Sequence, residues 1–196
     1  LFTPNHLFGE EKGPLSRFNE DQLKTLQAGE PVCLSTVTTE EDSDPAGHGQ
    51  CSIIVKSPMD KCFEILKKID RQVDWLPNKK KSKIVSRNEN KLLIDNEYKI
   101  YGTTIKYHSI YTIFEKKYRL EFEIDKSRPH DFEENSGFYQ LENIDGDNAL
   151  LTFGAYKLDV GFSVPNFVKN FLLGRSLPTM AINAKKYIES DGKWRQ

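Results

Sequence analysis

The chain has 196 residues, 37% of them hydrophobic and 29% charged, and its 28 lysines and arginines nearly balance its 29 aspartates and glutamates. This length suits one globular domain, and the near-zero net charge argues against nucleic acid as a partner, because a duplex-binding protein needs an excess of cations. No apolar run exceeds three residues, which excludes a membrane-spanning helix of about 20 apolar residues.

The first predicted elements are a short helix and two strands. An irregular lead-in at 1–17 precedes them. Asn19 suits the N-cap of an amphipathic helix, and Gly29 suits its end. Strands are expected at 31–39 and 48–56, separated by an acidic, turn-prone stretch.

The cysteines leave two alternatives open. In an antiparallel hairpin with its turn centred on Asp42, Cys33 faces Cys51, and the two can form a disulfide. Alternatively, Cys33, Cys51 and Cys62 are three buried thiols that act as small apolar side chains.

A second helix and a long run of strands follow. Ser57-Pro58 suits the start of the helix, with Ser57 as its cap, and a short helical turn leads on to Trp75. From about residue 79 the apolar period changes from 3.6 to 2, and the short connections between the runs predict an antiparallel meander. The six predicted strands lie at 81–88, 91–101, 104–115, 118–127, 136–144 and 149–159.

The chain closes with a helical region at about 165–190, interrupted by Gly174 and Pro178. Antiparallel strands rotate by about 20–25° against their neighbours, so a seven-stranded sheet curls and needs an apolar cover on its concave side. The C-terminal helix is the long amphipathic element left to supply it. This arrangement predicts an α+β fold with an interior pocket for an apolar ligand.

Several segments resemble the START-related, SRPBCC helix-grip superfamily, which includes polyketide cyclase/dehydrase-like proteins, coenzyme Q-binding-like lipid carriers and pollen-allergen-like carriers. The resemblance runs from about Gly49 to Ile188. It rests on the segments VKSPMDKCFEIL (55–66), DRQVDWLP (70–77), GFYQL (137–141), LLTF (150–153) and Val164-Pro165.

The resemblance implies a helix-grip fold: a curved seven-stranded antiparallel sheet wrapped around a long C-terminal helix. The helix-grip domain is expected at 48–191, preceded by a helix–strand extension at 18–47. These relatives include carriers, sensors and enzymes, so the fold alone does not define the activity.

Aromatic and polar residues on the predicted inner face are the candidate cavity residues, because a tyrosine combines an apolar ring with one hydrogen-bonding group. The alternative is that these rings only fill the core. In the strand at 104–115, Ile110 and Phe114 compete with the tyrosines for the inner face. The candidates are Trp75, Asn96, Tyr98, Tyr107, Tyr111, Phe122, Tyr139, Phe153 and Phe171.

Two of these candidates, and one run of lysines outside the candidate set, each have two interpretations. Trp75 either borders the pocket mouth or fastens the short helices to the sheet. Asn96 either orients a ligand carbonyl or satisfies backbone groups. The run Lys79, Lys80 and Lys81, with Lys83, either steers the protein towards anionic lipid for transient membrane-surface contact or is a solvated strand edge.

The predicted function is non-enzymatic binding or transport of a lipid-like or polycyclic apolar molecule. The alternative is a cyclase- or dehydratase-like enzyme acting on a polyketide-type substrate. The scattered histidines show no metal-ligand spacing, so no catalytic residue, metal or cofactor is predicted. The possible bridge and the initial leucine favour an exported protein over a cytoplasmic one.

Overall fold

The computed structural model describes residues 13–38, 46–159 and 176–196. Most of the predicted lead-in, the candidate Phe171 and the first part of the C-terminal helical region lie outside the described residues. Pro14–Arg17, at the end of the predicted irregular lead-in, form a short 3-10 helix.

Helix α1, Glu20–Gln27, begins with a reciprocal cap. The Asn19 side chain accepts a hydrogen bond from the Gln22 backbone N–H at 2.9 Å, and the Gln22 side chain accepts one from the Asn19 N–H at 3.0 Å. This capping box satisfies two donors that the first helical turn leaves free. Gly29 follows the helix with a φ of 83°, so the predicted helix, its cap and its stop are confirmed.

The remaining helices frame one face of the sheet. Helix α2 covers Met59–Leu66, a 3-10 helix covers Ile69–Asp74, and helix α3 covers Ser176–Glu189. The predicted cap at Ser57 is wrong. Pro58, with an extended ψ of 141°, takes the N-cap position, and no side-chain hydrogen bond caps the helix.

Eight strands form one antiparallel sheet in the part of the chain that the structure describes. The sheet order is β1-β2-β8-β7-β6-β5-β4-β3, and the strand predicted as an N-terminal extension, β1, joins the edge of the seven expected strands. The strands are β1 Val32–Thr38, β2 Ala46–Val55, β3 Lys79–Asn88, β4 Lys91–Ile100, β5 Thr103–Phe114, β6 Arg119–Ile124, β7 Glu134–Asn143 and β8 Ala149–Asp159.

The β1–β2 hairpin has the register that the sequence predicted, with Cys33 directly opposite Cys51. Of the two alternatives for the cysteines, the structure contains the disulfide between Cys33 and Cys51. Cys62 is a buried free thiol on α2. The expectation of three free thiols is therefore wrong in this structure, because the hairpin register brings the two strand cysteines together.

The main apolar cluster lies between the inner face of the sheet and helices α2 and α3. Trp75 is 2% exposed and lies near its centre. Its ring centroid is 6.3 Å from that of Tyr139, 6.1 Å from Phe153 and 6.4 Å from Tyr187 of α3. Ala181 and Ala184 of α3 are also buried in this cluster. Trp75 thus connects the segment after the 3-10 helix to both the sheet and α3.

A second, smaller apolar cluster lies towards the other end of β4 and β5. Tyr98 and Leu158 pack against it with part of their surface exposed. Its buried members are Ile100, Ile105, Tyr107, Ile124 and Phe132. Among the described residues the two clusters are separate, and the candidate site lies between them.

Candidate ligand-binding site

A polar seam, defined here as Asn96 and Ser109, separates the two apolar clusters on the inner face of the sheet. On β4, Asn96 follows Ile94 of the main cluster and precedes Tyr98. On β5, Ser109 lies between Tyr107 and Tyr111 in the same alternation. Because side chains two residues apart share a face of a strand, both seam residues face the interior.

Asn96 is completely buried and keeps one polar atom without a partner. Its Nδ2 donates to the Ser109 hydroxyl at 2.8 Å and to the Ile94 carbonyl at 3.2 Å. Its Oδ1 accepts no hydrogen bond from any described residue. Asn96 therefore satisfies one backbone group, as one interpretation predicted, and also presents a free acceptor to the interior.

Lys79, at the start of β3, points into the interior and is only 3% exposed. Its ammonium group donates to Gln72 Oε1 at 2.6 Å and lies 5.3 Å from the ring centroid of Tyr98. For Lys79, the prediction of a solvated strand edge or a membrane-facing cation is wrong. Lys80, Lys81 and Lys83 are exposed on the same strand.

Lys79 points inward, instead of towards solvent, because of the way β3 pairs with β4. Lys79 pairs with Tyr98 and Lys81 pairs with Glu97, so Lys80 is an extra residue in the ladder. A bulge of this kind interrupts the alternation of faces. Strict alternation from Ser82 would have placed Lys80, rather than Lys79, on the inner face.

Gln72 connects Lys79 to two tyrosine hydroxyls. It belongs to the 3-10 helix and is 1% exposed. The Tyr111 hydroxyl donates to Gln72 Oε1 at 3.2 Å, and Gln72 Nε2 lies 3.4 Å from the Tyr139 hydroxyl. Gln72, Lys79, Tyr111 and Tyr139 thus form an interior polar cluster, beside the aromatic rings of the main apolar cluster.

Burial determines the protonation of this cluster. Loss of solvation lowers the pKa of Lys79 from its ordinary value of 10.5 to about 7. The same effect raises the pKa of Tyr111 to about 12 and raises those of Tyr98, Tyr107 and Tyr139 well above the ordinary value. At neutral pH the tyrosines are therefore protonated hydrogen-bond donors, and Lys79 exchanges a proton near neutrality.

The structure brings the predicted cavity residues into two neighbouring groups. Trp75, Tyr111, Phe122, Tyr139 and Phe153 belong to or pack against the main cluster, with Tyr111 and Phe122 stacked at 5.5 Å between ring centroids. Tyr98 and Tyr107 stack at 6.2 Å in the second cluster.

Asn96 lies between these groups, whereas Phe171 is outside the described residues. The open question on β5 is answered by burial: Tyr107 and Tyr111 face inward, and Ile110 and Phe114 lie on the other face.

Sequence reasoning missed Gln72 and misplaced Lys79. A signal for Gln72 was available, because Ile69, Gln72 and Trp75 are three residues apart and all are buried. Residues at this spacing share one side of a 3-10 helix. For Lys79 the sequence carried no comparable signal, because the bulge depends on the pairing with β4.

The composition of the described residues bears on the kind of site. They contain no group of three or more histidines, cysteines, aspartates or glutamates arranged to hold a metal ion. No helix among them is long and apolar enough to cross a membrane.

The fold was compared with those of known proteins. No family model matches the chain, and no curated protein matches its sequence. Among solved structures, a START superfamily protein from Mycobacterium smegmatis superposes with a TM-score of 0.60 at 16% identity, covering 73% of this chain and 97% of that one. The human StAR-related lipid transfer protein 5 superposes with a TM-score of 0.59 at 12% identity, covering 86% and 90% of the two chains.

An aromatase/cyclase has a similar fold as well. The Zhui aromatase/cyclase from a Streptomyces species superposes with a TM-score of 0.57 at 15% identity, covering 75% of this chain and 98% of that one. The eight-stranded order, the inward aromatic face and the C-terminal helix agree with these similarities. The chain therefore has the helix-grip fold that these START-related structures share.

Proposed function

We propose that the protein binds or transports a hydrophobic small molecule, lipid-like or polycyclic, on the inner face of its sheet at the polar seam. The observation that carries the proposal is the polar seam between the two apolar clusters of the described residues, together with the buried polar cluster of Gln72, Lys79, Tyr111 and Tyr139. The ligand's apolar body would contact the aromatic rings, and its polar end would meet the buried hydrogen-bonding groups.

The energetics of burial support this role. A buried polar group without a partner destabilises a protein, and a buried charge does so more strongly. Here Asn96 Oδ1 has no partner among the described residues, and the Lys79 ammonium group has one acceptor. A ligand that supplied a hydrogen-bond partner for either group would lower the energetic cost of burying that group.

The structural neighbours are consistent with this proposal, since one is named as a lipid transfer protein and another as an aromatase/cyclase. At identities of 12–16% they support the class of ligand and leave its identity to experiment.

The test is native mass spectrometry of the purified protein, followed by titration with N-phenyl-1-naphthylamine, a neutral apolar fluorophore. We expect a retained small molecule or saturable micromolar binding of one fluorophore per chain. Absence of both in the folded wild-type protein would contradict the proposal.

A matched pair of variants locates the binding. Tyr107→Asp places a charge in the second apolar cluster, where Tyr107 is 6% exposed, whereas Tyr101→Asp alters a tyrosine that is 72% exposed. We expect Tyr107→Asp to abolish fluorophore binding and Tyr101→Asp to retain it, with circular dichroism confirming that each variant is folded.

A cyclase- or dehydratase-like activity is a second candidate, favoured by one specific observation. Lys79 is buried among protonated tyrosines with a pKa near 7, which suits proton transfer at neutral pH. The assay is incubation with a poly-β-ketone thioester, with mass spectrometry to detect loss of one water. Lys79→Met should abolish this turnover. Absence of turnover by the wild-type protein would leave the carrier function alone.

A further inference from the structure

Lys79 is a cation without a matching anion in its surroundings. Within the described chain, its Nζ has one hydrogen-bond acceptor, Gln72 Oε1, and no carboxylate forms an ion pair with it. An ammonium group can donate three hydrogen bonds. Two donors of Lys79 thus remain for a molecule that the interior admits.

The described groups that contact Lys79 are neutral. The 3-10 helix at Ile69–Asp74 contributes Gln72, β4 contributes the ring of Tyr98, and Tyr111 and Tyr139 lie beyond Gln72. Two carboxylates on these adjoining segments have other partners. Asp74 pairs with Arg195 at 3.1 Å, and Asp95 pairs with the exposed Lys81.

The hydrogen-bond donors of the Lys79 ammonium group indicate the charge of the ligand group that they can bind. An ammonium ion in a low-dielectric interior is stabilised most by a single negative charge at hydrogen-bond distance. A phosphate carries up to two charges and is normally bound by several cations or backbone N–H groups. Lys79 is the one buried cation among the described residues, so a monoanion matches it.

We propose that the ligand is an amphipathic carboxylic acid whose carboxylate binds the Lys79 ammonium group inside the protein. This inference rests on the proposed function, because it identifies the polar end of the same ligand. Gln72 is a positioning residue, because its amide oxygen holds the lysine head group in place. Asn96 Oδ1 is an acceptor and cannot donate a hydrogen bond to a carboxylate, so it takes no part in binding the charged group.

The experiment compares cis-parinaric acid with its methyl ester, two fluorescent probes with the same apolar chain and different charge. Binding is measured at pH 6.5 to wild-type protein, Lys79→Met and Lys79→Gln. The control is Lys83→Met, an exposed lysine on the same strand. We expect the wild type and Lys83→Met to bind the acid at least about tenfold more tightly than the ester.

Both Lys79 variants should lose this preference and keep their affinity for the ester. Two variants are used because Lys79→Gln retains a polar side chain in case methionine disturbs packing, and thermal unfolding verifies that each is folded. Equal wild-type affinities for acid and ester, or a preference that survives in both Lys79 variants, would overturn the carboxylate assignment and leave apolar binding intact. If neither probe binds, the proposed function itself fails.

Discussion

Lys79 destabilises the folded protein by an amount that depends on pH. In the unfolded chain its pKa takes the ordinary value of 10.5, and burial lowers it to about 7 in the folded state. Between these values the unfolded state binds more protons than the folded state, so the free energy of unfolding rises as the pH rises. The penalty is therefore complete below pH 7 and disappears above pH 10.5.

Replacing Lys79 with methionine should remove this pH dependence. We expect Lys79→Met to be more stable than the wild type at pH 7, with a difference that shrinks by about 2–3 kcal/mol at pH 9.5. Urea unfolding at both pH values measures it, with Lys83→Met as the exposed control. A difference of the same size at both pH values would show that Lys79 titrates normally in the folded protein.

Gln72 offsets part of the energetic cost of burying the Lys79 ammonium group, because its Oε1 accepts a hydrogen bond from that group. Gln72→Met removes the acceptor of both Lys79 and the Tyr111 hydroxyl, and we expect it to lower the free energy of unfolding by about 2 kcal/mol. In the Lys79→Met background the loss should be smaller by about 1 kcal/mol or more, because no ammonium group is left unpaired. Equal losses in the two backgrounds, measured by urea unfolding, would show that the pair is not coupled.

At the scale of elements, the strands were predictable where apolar and polar residues alternate clearly. The interior polar cluster was not predicted, because the alternation is interrupted there. The meander was found because its apolar residues recur with period 2 between short connections. The bulge at Lys80 depends on the pairing of β3 with β4, which a single sequence does not contain. On β5 each face carries apolar residues, with Ile110 and Phe114 on the outer one, so the inward position of Tyr111 required knowledge of its cross-strand neighbours Leu92 and Phe122.

The register of the β1–β2 hairpin, in contrast, was predicted from the sequence. A turn centred on Asp42 places Cys33 opposite Cys51, as in the structure. The bond also closes the chain between residues 18 apart in sequence. The extension that carries β1 is tied to the sheet at another point, because Arg17 binds the Glu142 carboxylate at 2.9 Å. The disulfide and this ion pair together hold the N-terminal extension on the sheet.

The disulfide should contribute measurably to stability. We expect the double variant Cys33→Ser/Cys51→Ser to lose about 3 kcal/mol, because the unfolded chain regains the freedom of the closed loop. Urea unfolding measures the loss.

Thiol titration in denaturant provides the control. It should find one reactive thiol before reduction and three afterwards, since burial raises the pKa of Cys62 to about 11 and protects it only in the folded state. Three thiols before reduction would exclude the bridge.

At the scale of the whole molecule, the main feature is that the interior of the described residues contains two apolar clusters. Asn96 of β4 and Ser109 of β5 lie between them, and the 3-10 helix at Ile69–Asp74, β3, β5 and β7 supply the interior polar cluster. The sequence identified most of the rings, whereas the separation of the clusters follows from how the strands pair. The proposed ligand-binding site rests on this separation.

Ser109 tests whether the seam has room for a ligand. Ser109→Phe extends a ring from β5 into the seam and removes the hydrogen bond from Asn96, at a cost of about 1 kcal/mol. In an interior that is already filled, the added ring would cost a further 1–3 kcal/mol through overpacking. We therefore expect a total loss near 1 kcal/mol in urea unfolding.

The same ring should block the ligand. A saturating apolar fluorophore raises the unfolding temperature of a protein that binds it, so N-phenyl-1-naphthylamine should stabilise the wild type and have no effect on Ser109→Phe. Thr112→Phe is the matched control, because Thr112 lies on the opposite face of the same strand and should leave the thermal shift unchanged. A loss of about 2 kcal/mol or more for Ser109→Phe would show that the seam is filled, and an undiminished thermal shift in that variant would place the ligand elsewhere.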